Sequence, residues 1–289
     1  MARIEYVEPR SIDEVLEVLD RHGDEARLLA GGQSLLVLLR DRLIQPSVLV
    51  GLQGVPGLDH ITANGDLQVG AMATHTAVQT HPAVRARWPL LAQAEAAVSA
   101  PQIRNRGTLV GNVAHAFPTA DPPAALIALG AQVRVRSSAG ERTLPIEDFF
   151  VGFMQTALGP GEVVTDIVVP GQPAGAVGAY LKYAMRPLDF SIVGVAARLV
   201  LSADGTCSDA RIGLNGAGAT PLRARRAEAA LWGHRLASDP DAIEAAAEAA
   251  AADSDPAGDI DGSAEYKRKM VRVFVRRAVR QALAMAPVT

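Results

Sequence analysis

The hydrophobic pattern of the first seventy residues changes period every few positions, as expected of short strands alternating with helices. Residues 4–7 read as a short strand. Ser11-Ile12-Asp13-Glu14 has the form of a capping box and predicts a helix to Arg21-His22, with Gly23 as its left-handed stop. Residues 27–30 predict a second strand, Gly31-Gly32 a turn, and residues 34–39 the start of a second helix. Residues 49–52, Ile61 and residues 67–70 predict further strands, with a tight turn at Asn64-Gly65. The segment reads as a β-α-β-α-β unit.

Residues 74–98 read as mostly helical with Ala-rich faces, and residues 106–112 as a second glycine-containing loop. Asp121-Pro122-Pro123 and an apolar run over 124–129 follow, then strands over 132–136 and 162–169. Residues 171–178 are uncharged and rich in Gly, Pro and Ala, which predicts a domain boundary there. Beyond it, residues 179–185, 192–202 and 208–215 predict an antiparallel meander. Thr220-Pro221 and Asp239-Pro240 each place an N-cap residue before a proline and predict two helices. Residues 253–262 form an acidic loop. Residues 265–284 predict a last helix, with an apolar stripe through Met270, Phe274 and Val279 and a basic face of Arg272, Arg276, Arg277 and Arg280. No repeat of solenoid length is present. The fold class is α+β. A first domain over residues 1–174 has two α/β subdomains split near 55–70. A smaller domain over 175–289 has an antiparallel three-stranded sheet and helices.

The length of 289 residues and the hydrophobic share of 49% suit two such cores. A formal net charge of −3 gives no broad attraction to nucleic acid or acidic lipid. The N-terminus, from Met1 to Tyr6, lacks the apolar stretch of a signal peptide, and no run approaches the roughly 20 apolar residues of a membrane helix. A soluble, cytoplasmic protein without membrane insertion is expected. The single cysteine, Cys207, can neither form an internal disulfide nor hold an iron–sulfur cluster. It lies in a turn-like stretch and reads as structural. The histidines show no metal spacing, and His60, His75, His81 and His115 are expected in loops or at the surface.

Two loops could carry chemistry. In Ala30-Gly31-Gly32-Gln33-Ser34-Leu35, paired glycines let the backbone approach a ligand, free amides at a helix start can bind an anion, and Ser34 offers a hydroxyl. Thr108-Leu109-Val110-Gly111-Asn112 offers a hydroxyl, a glycine and an amide, and Asp121 could accept from ribose hydroxyls. Each loop alone is more often an ordinary turn; two in one domain favour a dinucleotide held between them. Gly213-Leu214-Asn215-Gly216-Ala217-Gly218 lacks Rossmann spacing and reads as a connector.

The first loop resembles the first FAD loop of the molybdenum hydroxylase flavoproteins, such as the medium subunit of aerobic carbon monoxide dehydrogenase and the flavin domain of xanthine dehydrogenase. Residues 102–116, from Gln102-Ile103-Arg104-Asn105 to Val113-Ala114-His115-Ala116, resemble the second, with Pro118 and Asp121 following. Phe149-Phe150-Val151-Gly152, Arg186-Pro187-Leu188-Asp189-Phe190 and Gly262-Ser263-Ala264-Glu265-Tyr266 extend the resemblance over nearly the whole chain. It implies that Ala30, Gly31, Gly32, Gln33, Ser34 and Leu35, with Thr108, Gly111 and Asn112, bind the pyrophosphate of a non-covalent FAD. It also implies that Asp121 binds a sugar hydroxyl, that Val164 packs near the ring system, that Lys182 reaches the flavin and that Phe190 lies against the isoalloxazine. No catalytic acid–base residue and no metal ligand are expected here. The implied partners are a small ferredoxin-like [2Fe–2S] subunit and a large subunit with the molybdenum cofactor, as a dimer of heterotrimers. Electrons would pass from the clusters through this flavoprotein component of an oxidoreductase to NAD⁺, oxygen or a quinone-like carrier. A stand-alone flavoenzyme and a scaffold that has lost FAD are the alternatives. One position departs from the family: Val110 stands where it usually has glycine, and a β-branched residue would be strained there if the loop required positive φ.

Overall fold

The computed structural model describes residues 4–286. Met1, Ala2 and Arg3, which enter the reading of the N-terminus, and the last three residues of the predicted second domain lie outside the described residues.

Three short strands, β1 (Glu5–Val7), β2 (Ala26–Leu29) and β3 (Val48–Gly51), form a parallel sheet in the order β1-β3-β2. Parallel neighbours need crossovers, supplied here by α1 (Ile12–His22) and α2 (Leu35–Arg40). Half of the capping box forms: Ser11 Oγ accepts from the Glu14 amide at 3.1 Å, while the Glu14 carboxylate accepts from the amide of Arg10, one residue before the cap, at 2.7 Å. Val15, Leu16 and Leu19 face the core, and Gly23 stops α1 at φ +50. By contrast α2 buries no residue.

The second sheet has the order β4-β5-β10-β6-β7 and is antiparallel. Its strands are β4 (Ile61–Asn64), β5 (Asp66–Gly70), β6 (Gln132–Ser137), β7 (Gly140–Pro145) and β10 (Val163–Val169). Six helices lie between β5 and β6: α3 (His75–Thr80), α4 (Pro82–Arg87), α5 (Pro89–Ala97), α6 (Pro101–Arg104), α7 (Leu109–His115) and α8 (Asp121–Leu129). After β7 come α9 (Ile146–Phe149) and the small ribbon of β8 (Phe150–Gly152) and β9 (Gln155–Thr156). Trp88 is fully enclosed and donates from its indole to the Pro170 carbonyl at 2.8 Å.

The third sheet is antiparallel and has four strands in sequence order: β11 (Ala176–Tyr183), β12 (Val193–Leu201), β13 (Cys207–Asn215) and β14 (Leu222–Arg223). Three helices follow among the described residues: α10 (Arg225–Leu231), α11 (Pro240–Asp253) and α12 (Ala264–Ala284). The sheet has α12 on one side and α8 on the other. Both faces are therefore covered, which explains why residues 193–199 of β12 are buried in succession instead of alternating. A second hydrophobic cluster, from Ala179 to Ala282, fills the space beneath α11 and α12.

Three expectations fail here: a helix started by Thr220-Pro221, a three-stranded sheet and a loop through residue 112. Thr220-Pro221 starts no helix. The chain stays extended into β14, where Leu222 pairs with Leu214 and the Arg223 guanidinium is held by Glu228, so the sheet has four strands and not three. Residues 106–112 are a loop only as far as Thr108, whose hydroxyl caps α7. On the basic face of α12, Arg272 and Arg276 both bond Glu244 on α11. Among the described residues no helix is long and apolar enough to cross a membrane.

Candidate functional site

The two glycine loops meet backbone to backbone. A Cβ on Gly31 would collide with the Arg106 carbonyl oxygen and stand 2.7 Å from Gly107 Cα, so only glycine allows this approach. Gly32 turns the chain at φ +76. Gln33 folds back, its side-chain amide donating to the Gly31 carbonyl at 3.1 Å. The amides of Gly31 to Leu35 donate to no acceptor among the described residues, and the Ser34 hydroxyl makes no capping bond. The result is a row of unengaged donors at a place where a side chain is excluded.

The second loop is anchored by an isolated bridge between Thr74 and Thr108, in which the His75 amide donates to Gly107 O at 2.9 Å and the Leu109 amide to Ala73 O at 3.2 Å. Thr108 Oγ accepts from the Gly111 amide at 3.0 Å. Gly111 packs towards Ala30. Val110 lies inside α7, is not among the positive-φ residues and is buried, so its branching causes no positive-φ strain. Asn112 Oδ1 is enclosed without a hydrogen-bond partner, an unmet capacity that a ligand can fill.

Two histidines do not lie where the sequence placed them. His75 is 3% exposed and its Nδ1 lies 2.6 Å from Oε2 of Glu95, itself fully buried on α5. His115 is half-buried, and burial lowers its pKa from the ordinary imidazole value.

Asp121, the first residue of α8, is 4% exposed. It accepts from the Tyr180 hydroxyl at 2.6 Å and from Lys182 Nζ at 2.9 Å. Lys182 also donates to Ala97 O at 2.9 Å. Burial pushes the Asp121 carboxyl above its usual range, against the opposing pull of the Lys182 ammonium and the Tyr180 hydrogen bond. Burial, and then the Asp121 charge, push the Tyr180 phenol well above its ordinary value. Asn215 donates to the Asp121 carbonyl at 3.0 Å, so a residue of the stretch read as a connector at 213–218, which in fact ends β13, joins this cluster.

Val164 is buried in β10, opposite Val135. Phe190 is 62% exposed, with its ring centroid 5.0 Å from that of Phe117, and Phe117 in turn meets Phe153 edge-on. The structure therefore brings Ala30, Gly31 and Gln33 against Gly107 and Gly111, and pairs Asp121 with Lys182. Phe190 stands apart on an exposed aromatic cluster. Sequence reasoning missed Tyr180, Glu95 and Asn215. For Tyr180 a signal existed: two positions before Lys182 on a strand, it must share that residue's face. Glu95 had none, because a glutamate in an Ala-rich helix reads as solvated. The unengaged amide row and the close-packed glycines fit the diphosphate of a dinucleotide such as FAD, whereas Asn112 Oδ1 can take only a donor such as a hydroxyl.

Residues 2–172 match the family described as the FAD binding domain in molybdopterin dehydrogenase, and residues 179–282 match the CO dehydrogenase flavoprotein C-terminal domain. The chain is 40% identical to the nicotine 6-hydroxylase medium subunit of Paenarthrobacter nicotinovorans, over 96% of this chain and 97% of that one. It is 38% identical to the carbon monoxide dehydrogenase medium chain of Hydrogenophaga pseudoflava, over 98% of each. Its structure is similar to that of carbon monoxide dehydrogenase from Hydrogenophaga pseudoflava lacking the Mo-pyranopterin moiety, with a TM-score of 0.95, 39% identity and 99% of each chain covered. It is also similar to quinoline 2-oxidoreductase from Pseudomonas putida 86, with a TM-score of 0.91, 37% identity, 98% of this chain and 97% of that one.

Proposed function

This chain belongs to the flavoprotein family of molybdopterin dehydrogenases, and from that premise we propose that it passes electrons from the [2Fe–2S] clusters of a small partner subunit to an external acceptor. It is the FAD-binding, medium-subunit type of component of an oxidoreductase complex. In the proposed assembly the molybdenum cofactor sits in a large subunit, and two heterotrimers pair. Such a component works in the cytoplasm.

The observation that carries the reading is the contact of Gly31 with Arg106 and Gly107 beside amides that no protein group engages. Residues 30–35, with Thr108, Gly111 and Asn112, would hold the diphosphate. Asp121 would accept from a sugar hydroxyl, Lys182 would supply positive charge, and Val164 and Phe190 would border the ring system. Bound FAD can exchange electrons singly and in pairs, which suits it to link one-electron clusters to a two-electron acceptor. The chain's own residues bind and orient it. A cation such as Lys182 near the flavin favours added negative charge by simple Coulomb attraction. The two buried clusters, one from Val15 to Val169 with Tyr180 and Ala196 and one from Ala179 to Ala282, support a division into residues 1–174 and 175–289. The test is the absorbance spectrum of the purified chain, together with co-purification of iron–sulfur and molybdenum subunits. A colourless chain that FAD cannot reconstitute would refute the reading.

A further inference from the structure

Glu95 has no exposed surface, yet only one of its oxygens is engaged: Oε2 meets His75 Nδ1 at 2.6 Å, and Oε1 has no partner. A half-satisfied buried carboxylate is unfavourable compared with an apolar residue of similar size, so core stability does not account for it. What the pair touches is more informative. The His75 amide holds Gly107 O at 2.9 Å, and the ring carbon Cδ2 lies 3.1 Å from where a Cβ on Gly107 would stand. The imidazole is therefore a wall behind the second glycine loop. Its bond to Glu95 sets the rotation of the ring, since a flipped ring would lose the Nδ1 contact. Gly107 and Arg106 are in turn the backbone against which Gly31 packs. A shift of Gly107 must move Gly31, and with it the row of unengaged amides.

We propose that His75, oriented by Glu95, is a positioning residue that fixes the Gly107 backbone and so sets the spacing of the two glycine loops for a diphosphate ligand. The inference rests on the FAD reading above, with FAD as the diphosphate. A pair that served stability alone would leave ligand affinity unchanged once the protein is folded.

The experiment titrates FAD into the flavin-free full chain, followed by flavin fluorescence, with thermal melting without FAD as a separate measure of folding. His75→Asn keeps an amide near the place of Nδ1, so Glu95 stays partnered, but removes the ring edge from Gly107. It should weaken FAD binding by about tenfold or more while the melting temperature stays near that of the wild type. Glu95→Gln still accepts from Nδ1–H and keeps the ring in place, so its affinity should stay within about threefold of wild type. If wild type binds FAD and His75→Asn binds it as tightly, the positioning role is wrong and the FAD reading stands. Affinity lost only in step with the melt overturns the proposal in favour of stability alone. Glu95→Gln as weak as His75→Asn overturns it in favour of charge. A wild-type chain that binds no FAD overturns this inference and the FAD reading together.

Discussion

Lys182 Nζ lies 2.9 Å from Asp121 Oδ2, and this ion pair ties β11 of the third sheet to the first turn of α8 in the preceding domain. Tyr180, on the same face of β11, holds the other carboxylate oxygen at 2.6 Å. The cluster is enclosed, so its members depend on one another. A sugar hydroxyl that reached Asp121 would share a carboxylate already held by two donors.

Lys182→Met should therefore destabilise the flavin-free chain by about 3 kcal/mol at pH 7, because it leaves a buried carboxylate without its cation. Burial already pushes the Asp121 carboxyl up, and Lys182 is the main opposing group. Without it the folded state takes up a proton at still higher pH. A folded pKa above the unfolded one means that the folded state binds more protons in that window, so its relative stability rises as pH falls. The deficit should shrink between pH 7 and pH 5 in urea unfolding. A deficit that grows on acidification counts against an unpaired Asp121.

Gly31→Ala should empty the flavin site more completely than Gly32→Ala. At Gly31 the new Cβ would meet backbone atoms of Arg106 and Gly107, which can move only by separating the loops. At Gly32 it would meet the Leu36 and Leu29 side chains at 3.0 and 3.3 Å, and the cost is mainly the left-handed conformation at φ +76, about 1 kcal/mol. The ratio of flavin to protein absorbance ranks the two variants. Equal occupancy would show that the contact between the loops does not shape the site.

Cys207 lies at the start of β13, fully enclosed, and burial pushes its thiol up to about 11. An exposed thiol, as in an unfolded chain, ionises at about 8.5 to 9. Between these values the folded state holds the proton and the unfolded state loses it, so stability falls as pH rises. Wild type should lose about 1 kcal/mol more than Cys207→Ala between pH 9 and pH 10. Parallel losses would mean that the thiol is not held protonated. A thiol so enclosed is also a poor attachment point, and acid precipitation should release the flavin into solution.

The sequence made the larger elements legible for local reasons. The Ser11 cap of α1 and the Asp239 cap of α11 are short-range signals, and both form as expected, with Ser11 Oγ accepting from the Glu14 amide at 3.1 Å and Asp239 Oδ1 from the Ala242 amide at 3.2 Å. The Thr220-Pro221 signal is equally local, but it lost to a tertiary pairing of Leu222 with Leu214. The glycine loops were legible as motifs. Their contact was not, because Gly31 and Arg106 are far apart in sequence and nothing local records that they touch. Glu95 and His75 were hidden for the same reason: each takes its meaning from the other across the packing of α3 on α5.

The last prediction concerns the division of labour in the complex. The chain has one cysteine, and among the described residues no group of three or more His, Cys, Asp or Glu side chains could hold a metal ion. The buried titratable groups identified around the site are committed elsewhere: Asp121 to Tyr180 and Lys182, and His75 to Glu95. Neither faces the exposed Phe190 cluster, beside which the half-buried His115 ring stacks on Phe117 with centroids 6.0 Å apart. The flavin-loaded chain alone should thus leave any organic substrate of the complex unoxidised. Adding the iron–sulfur and molybdenum subunits should let that substrate bleach the flavin band, after the cluster bands in stopped-flow absorbance. The order of events carries the test. Flavin bleaching by substrate in the isolated chain would make this a stand-alone flavoenzyme. Cluster reduction without flavin reduction in the full complex would remove this chain from the electron path.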